Sequence, residues 1–217
     1  MKKTVQLLLV VIGLLFACPV VNAQSKASNK ALAKECKRKK KEFAKEGWKV
    51  FATSRSIDGA LDAHYRKLQN ENVIEIVSFA NALKKNNLMQ TAKNNAANLY
   101  ARSAGSYVKG RVVSDMGNNA NDVSAEFDHF YAAYETLVEK EIKGELRESF
   151  SVIREVMTDK KSGQPIYEVQ SFYIIDEDAA SAARIRAFEN AMRESAMAQQ
   201  HAEMVSKFIQ EGFAIEE

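Results

Sequence analysis

Proline and cysteine are scarce in this chain, with two of each among 217 residues, and tryptophan occurs once. So little proline leaves no room for a Pro-rich linker or recognition tract. Two cysteines cannot frame a disulfide scaffold. Histidine is almost as sparse, at three residues. His64, His129 and His201 fall with Cys36 in four different expected helices, and no HExxH, CxxC or HxH spacing occurs. Zinc and iron sites need such ligands to converge, so neither a metal nor a cofactor is expected. The nine glycines are scattered, which excludes a phosphate-cradling loop, and no GxSxG elbow is present.

Long apolar runs are also missing, save one. VQLLLVVIGLLFA follows Lys2 and Lys3, and VNA then sets small residues at the −3 and −1 positions of a cut between Ala23 and Gln24. A positive start, a short apolar stretch and small residues before the cut form the profile of a secretory signal peptide. The run is too short for a bilayer, which takes about 20 residues. The stretch LFAC resembles the lipobox of bacterial lipoproteins, making Cys18 the alternative processing site. The first route gives a soluble exported protein, the second an anchored one. Either way the expected location is the periplasm or cell envelope. Cleavage after Ala23 leaves 194 residues with Cys36 as their one cysteine, so stability must come from an apolar core.

Charge is unevenly placed. Residues 26–49 hold ten Lys or Arg against three Glu, a net of +7, while the whole chain carries only +3. The stretch KECKRKKKEFAKEGW reads as a helix with a narrow apolar stripe of Leu32, Cys36 and Phe43, closed by Gly47. Lys37, Arg38, Lys39, Lys40 and Lys41 are its candidate contact with an anionic surface such as lipid headgroups, lipopolysaccharide or another acidic polymer. The alternative is a charged arm that pairs with the protein's own acidic residues. Nucleic acid is not an expected partner, because the aromatics do not interleave with the lysines and the whole chain is not strongly basic.

Beyond the basic helix, residues 48–217 read as a single α+β domain. WKVFAT has the bulk alternation of a short strand, and Ile57, Leu61, Tyr65 and Leu68 share a helix face. NVIEIVSFA is a second strand. AKNNAANLYARSAGSYVKGRVV follows, a long helix whose expected buried face is Ala92, Ala96, Ala97, Leu99, Ala101, Ser103, Ala104 and Val108, punctuated by Tyr100 and Tyr107. Small side chains there point to close packing on a sheet rather than to a binding groove. SDMGNNANDVS is a loop by its turn chemistry, and Phe127, Phe130, Tyr131, Tyr134, Leu137, Val138 and Ile142 then recur at helical spacing up to Gly144. LRESFSVIREVMT and IYEVQSFYIID form an antiparallel hairpin around DKKSGQP. Asp176 caps a final helix with Phe188, Ala191, Ser195, Ala198, Ala202, Val205 and Ile209 along its buried stripe. The expected architecture is α+β, a small, mostly antiparallel sheet of about four strands with long helices covering one side.

The succession of strand, Ala-rich helix and late hairpin IREVMT…YEVQSFYII resembles the LPP-twenty-type lipoproteins of bacterial cell envelopes, over residues 72–200. The resemblance implies an Ala-rich helix on a small antiparallel sheet, an envelope location and no established enzymatic activity. It supplies no catalytic residues.

Three function classes follow. The leading one is an exported, non-catalytic structural or binding component of an envelope, whose partner is another envelope protein or an anionic envelope surface. The second is an envelope hydrolase using paired carboxylates near the hairpin, drawn from Glu148, Glu155, Glu168 and Asp176. The third is a periplasmic small-molecule binder with a pocket between the tyrosine-bearing helices and the sheet. Glu126 and Asp128 beside His129 read as a surface ion pair rather than a ligand set.

Overall fold

The computed structural model describes residues 21–69, 72–116, 124–158, 163–193, 205, 206 and 209. In chain order the elements are α1 (Val21–Glu46), β1 (Lys49–Val50), α2 (Ile57–Leu68), β2 (Val73–Ala82) and a 3₁₀ turn (Lys85–Asn87). Then come α3 (Leu88–Met116), α4 (Ser124–Glu145), β3 (Arg147–Thr158), β4 (Pro165–Asp176) and α5 (Glu177–Met192). The signal segment, the tips of the 114–124 and 159–162 loops, Ser195, Ala198, His201 and Ala202 lie outside the described residues.

Local chemistry sets the boundaries. Gly47 ends α1 at φ +73, a left-handed conformation that costs glycine nothing. The Ser56 hydroxyl accepts from the Gly59 amide at the start of α2. Asp176 accepts from the amides of Asp178 and Ala179 and so caps α5, with Glu177 and Asp178 in its first turn. The strand expected over 48–53 shrinks to two residues, because Ala52 turns to φ 59 and takes the chain out of the sheet.

The four strands are antiparallel in the order β1-β3-β4-β2, which bears out the expected α+β class. The β3–β4 hairpin is the centre, with register shifts between Glu148 and Phe150 and between Glu155 and Met157. Phe150 and Phe172, directly opposed, stack with centroids 4.4 Å apart. Side chains alternate across a strand, so the sheet offers two distinct faces.

One face carries Ile76, Ser78 and Ala80 opposite Tyr173, Ser171 and Val169. It packs under α3, α4 and α5 in a core that includes Tyr100, Phe130, Tyr134, Val138, Phe188, Val205 and Ile209. The second face carries Val77, Phe150, Val152 and Phe172, and it is covered by Phe43 and Cys36 of α1, by Trp48, and by Leu61 and Tyr65 of α2. Helices therefore lie on both faces, not on one. The reason is that the second face is as apolar as the first and must also be removed from water.

The alanine run of α3 serves packing. Ser78, Ser171 and Ser151 stand in register across β2, β4 and β3, all buried, and make a shallow trough in the sheet. Ala92, Ala96 and Ala97 bury fully, and the Ser78 hydroxyl donates to the Ala92 carbonyl at 2.8 Å. The Ser171 hydroxyl donates to Ser151 at 2.7 Å and Ser151 in turn donates to Glu148, so these buried hydroxyls are satisfied within the protein. Two rows of small side chains bring the helix close to the sheet.

Candidate functional site

The basic helix is the most distinctive surface of the chain, and its geometry divides the lysine run. Phe43 is fully buried and Cys36 nearly so, fixing which side of α1 meets the body of the protein. Phe43 lies against Trp48 and Phe172, with centroids 5.9 and 6.1 Å away. Beyond the turn, Glu46 accepts from Trp48 Nε1 at 3.1 Å and from Arg154 of β3 at 2.5 Å. α1 is thus fastened at its C-terminal half, and its opposite side faces solvent.

Of the five consecutive basic residues, three are committed within the protein. Arg38 pairs with Glu35 and Glu42 at 3.3 and 3.5 Å, and Lys39 pairs with Glu42 at 3.1 Å. Lys40 reaches Asp62 of α2 at 2.8 Å, which holds the Asp62 carboxyl below its usual range. Lys37 and Lys41 are exposed and free of such partners among the described residues. At 100° per residue they share a stripe about 80° wide with Lys30, Lys34 and Lys45. All five of these lysines are exposed, and none makes an ion pair or hydrogen bond among the described residues. Glu35, Glu42 and Glu46 lie toward the opposite side of the helix, where they cannot neutralise the stripe. Read consecutively, the sequence picks out the block 37–41. Read at the helical period, it picks out 30, 34, 37, 41 and 45, and that period was the available signal.

Cys36 lines a groove of about 470 Å³ between α1 and α2, together with Leu32, Lys37, Lys40, Asp62 and Tyr65. Its thiol points to Asp62 Oδ1 at 3.6 Å. Burial pushes the thiol above its ordinary range, outweighing the opposing effect of Lys40. The lysine-rich surroundings therefore do not make it a reactive thiolate.

A second groove of similar size, about 470 Å³, runs along β2 and α3, lined by Val77, Ser78, Phe79, Asn95, Asn98, Leu99, Arg102, Ser103 and Ser106. Among the described residues β2 is the outermost strand on this side of the sheet, ten residues long. Phe79 and Leu99 are half exposed, at 51% and 52%. Asn95 donates to the Phe79 carbonyl at 2.7 Å, covering one of the edge's acceptors. An open edge beside exposed apolar side chains is able to accept another extended segment.

The hairpin carboxylates do not converge. Glu155 stands opposite Tyr167 and Glu168 opposite Arg154, so these neighbours point to different faces. Glu148 and Glu155 share a face but lie seven residues apart, roughly 23 Å along β3. Glu168 and Asp176 share the other face at eight residues, roughly 26 Å. Three of the four have local work: Glu148 accepts from Ser151 at 2.7 Å, Glu168 from Arg154 at 2.8 Å, and Asp176 caps α5. Asp128 pairs with Lys109 at 2.6 Å, His129 is exposed on α4, and the Glu126 side chain lies outside the described residues. The tyrosines named for a pocket pack instead: Tyr100, Tyr131 and Tyr134 are buried, and Phe130 stacks on Tyr134 with centroids 6.2 Å apart.

Two buried polar groups carried no motif in the sequence. His64 is fully buried, with Nε2 at 2.6 Å from Glu75 Oε1 and rings of Tyr65, Phe150 and Phe172 within 5.5 Å. A histidine held by a carboxylate is half of a catalytic arrangement, but its buried Nδ1 meets no hydrogen-bond partner among the described residues. Arg184 is also buried, donating to the Tyr100 hydroxyl at 2.5 Å and to Glu177 at 2.6 Å. Its signal was an arginine on the α5 stripe of Ala180, Ala183, Ala187 and Ala191.

Among the described residues no His, Cys, Asp or Glu cluster could hold a metal ion, and no helix is long and apolar enough to cross a membrane. Comparison with protein-family models, with curated proteins and with solved structures found no match.

Proposed function

We propose that this chain is an exported, non-catalytic binding component of a bacterial cell envelope whose partner is another envelope protein. The observation that carries the reading is the open β2 edge, with Phe79 and Leu99 exposed beside it and polar side chains of α3 along its flank. Backbone groups on such an edge give affinity, and the flanking side chains select the partner. The signal-peptide profile of residues 1–23 supports export, and the likeness to LPP-twenty-type lipoproteins supports an envelope location. The dispersal of the hairpin carboxylates weighs against the hydrolase alternative.

Site-specific photo-crosslinking in living cells tests the contact. A crosslinker at position 79 or 99 is expected to give a discrete adduct in the envelope fraction. The same group at Lys140, exposed on α4, serves as the comparison. Adducts of equal intensity from all three positions, or none from 79 and 99, would sink the assignment.

A further inference from the structure

Among the described residues the lysine stripe of α1 meets no counter-charge, and its shape restricts what can supply one. It runs from Lys30 to Lys45 along α1, a span of roughly 22 Å at 1.5 Å per residue. Within it the charges are ammonium groups only, since Arg38 is engaged by Glu35 and Glu42 outside the stripe. Lysine is a compact point charge suited to diffuse phosphate contact, whereas arginine provides planar, bidentate recognition. The one aromatic residue within this stretch, Phe43, is fully buried on the other side of the helix, so stacking on bases is not provided for. The apolar side of the helix, Cys36 and Phe43, is buried against the sheet and is not available to enter a lipid phase.

We infer that α1 docks the protein flat on an anionic bilayer, with Lys30, Lys34, Lys37, Lys41 and Lys45 facing phospholipid headgroups. This rests on the envelope reading above, since an exported protein works beside such a surface. Attachment of this kind is peripheral and electrostatic. Juxtaposed lysines each add a similar increment near an acidic leaflet, and salt removes it within a Debye length. Fastening of α1 through Phe43, Lys40 and Glu46 leaves the β2 edge on a different element, so both contacts can be made together.

The test is co-sedimentation of the mature chain with vesicles of phosphatidylcholine alone and with added phosphatidylglycerol. Binding is expected only to the acidic vesicles and is expected to fall steeply with salt. A triple change Lys34→Gln, Lys37→Gln, Lys41→Gln is expected to weaken it by roughly two orders of magnitude. The control triple Lys84→Gln, Lys140→Gln, Arg147→Gln removes the same charge from other exposed positions and is expected to weaken it far less. All six side chains are exposed, so both variants should keep the parent circular dichroism spectrum and melting temperature. Equal losses from both triples would overturn the inference, as would salt-resistant binding to neutral vesicles. Binding to a soluble polyanion such as heparin with no binding to acidic vesicles would overturn the choice of a bilayer. Such failures in purified components leave the crosslinking result at β2 untouched, which keeps the two readings separable.

Discussion

Arg184 lies on an α5 stripe made otherwise of alanines and Phe188, and it is the largest fully buried side chain among the described residues. Glu177 and the Tyr100 hydroxyl meet the guanidinium there and offset the cost of burying its charge. Arg184→Ala is expected to lower stability by about 3 kcal/mol in urea unfolding, because it leaves a cavity and takes the partner from the partly buried Glu177 carboxylate. Arg184→Met, which keeps the volume, should cost less. Tyr100 adds a pH signature. Burial raises its phenol to about 12 against the opposing effect of Arg184, and burial likewise raises Tyr173 to about 12. A phenol that resists ionisation when folded but ionises near pH 10 when unfolded stabilises the fold below pH 10. That contribution is lost as pH climbs from 10 toward 12. The urea midpoint should therefore drop between pH 10 and 12, and the drop should be smaller in Tyr100→Phe. An unchanged midpoint across that window would contradict the burial of these hydroxyls.

At the scale of elements, the sequence was most readable where one period ran unbroken. Both hairpin strands, β2, the α2 face and the Asp176 cap stand where alternation and turn chemistry put them. β1 was over-read because its alternation continues past Ala52, whose positive φ no pattern discloses. The α3 alanines pointed to packing, but not to their counterpart, the serine trough, which is spread over three strands distant in sequence. The α3–α4 contact depends on one glycine. A Cβ on Gly105 would lie 2.3 Å from Glu135 Cγ. Gly105→Ala should gain about 1 kcal/mol of helix propensity and lose about 1–3 kcal/mol to overpacking, a net loss read as a lower melting temperature. The double variant with Glu135→Ala should recover it. If the single variant is more stable than the parent, the two helices do not approach as described.

For the whole molecule, the second apolar face of the sheet is what the sequence left unseen. Leu32, Cys36 and Phe43 gave α1 a stripe too narrow to announce a core. The residues that meet it, Trp48, Leu61, Val152 and Phe172, come from four other parts of the chain. α1 thus belongs to the cooperative unit even though its outward side is all charge. Phe43→Ala is expected to destabilise the entire protein by about 3–5 kcal/mol while preserving a single unfolding transition. An independent arm would give no change in that transition. The candidate site was legible in kind but not in membership: the lysine run announced a basic surface, and only the helix orientation separates Lys37 and Lys41 from the three residues bound to Glu35, Glu42 and Asp62. The His64–Glu75 pair had no sequence signal, because its halves sit in different elements and meet only through the fold.

Both proposed surface contacts presuppose export to the envelope, and the intact mass and N-terminal residue of the protein from fractionated cells test it most directly. The account expects a chain beginning at Gln24, or a lipidated one beginning at Cys18, recovered with the periplasm or envelope. A full-length chain retaining Met1 in the cytoplasmic fraction would contradict it.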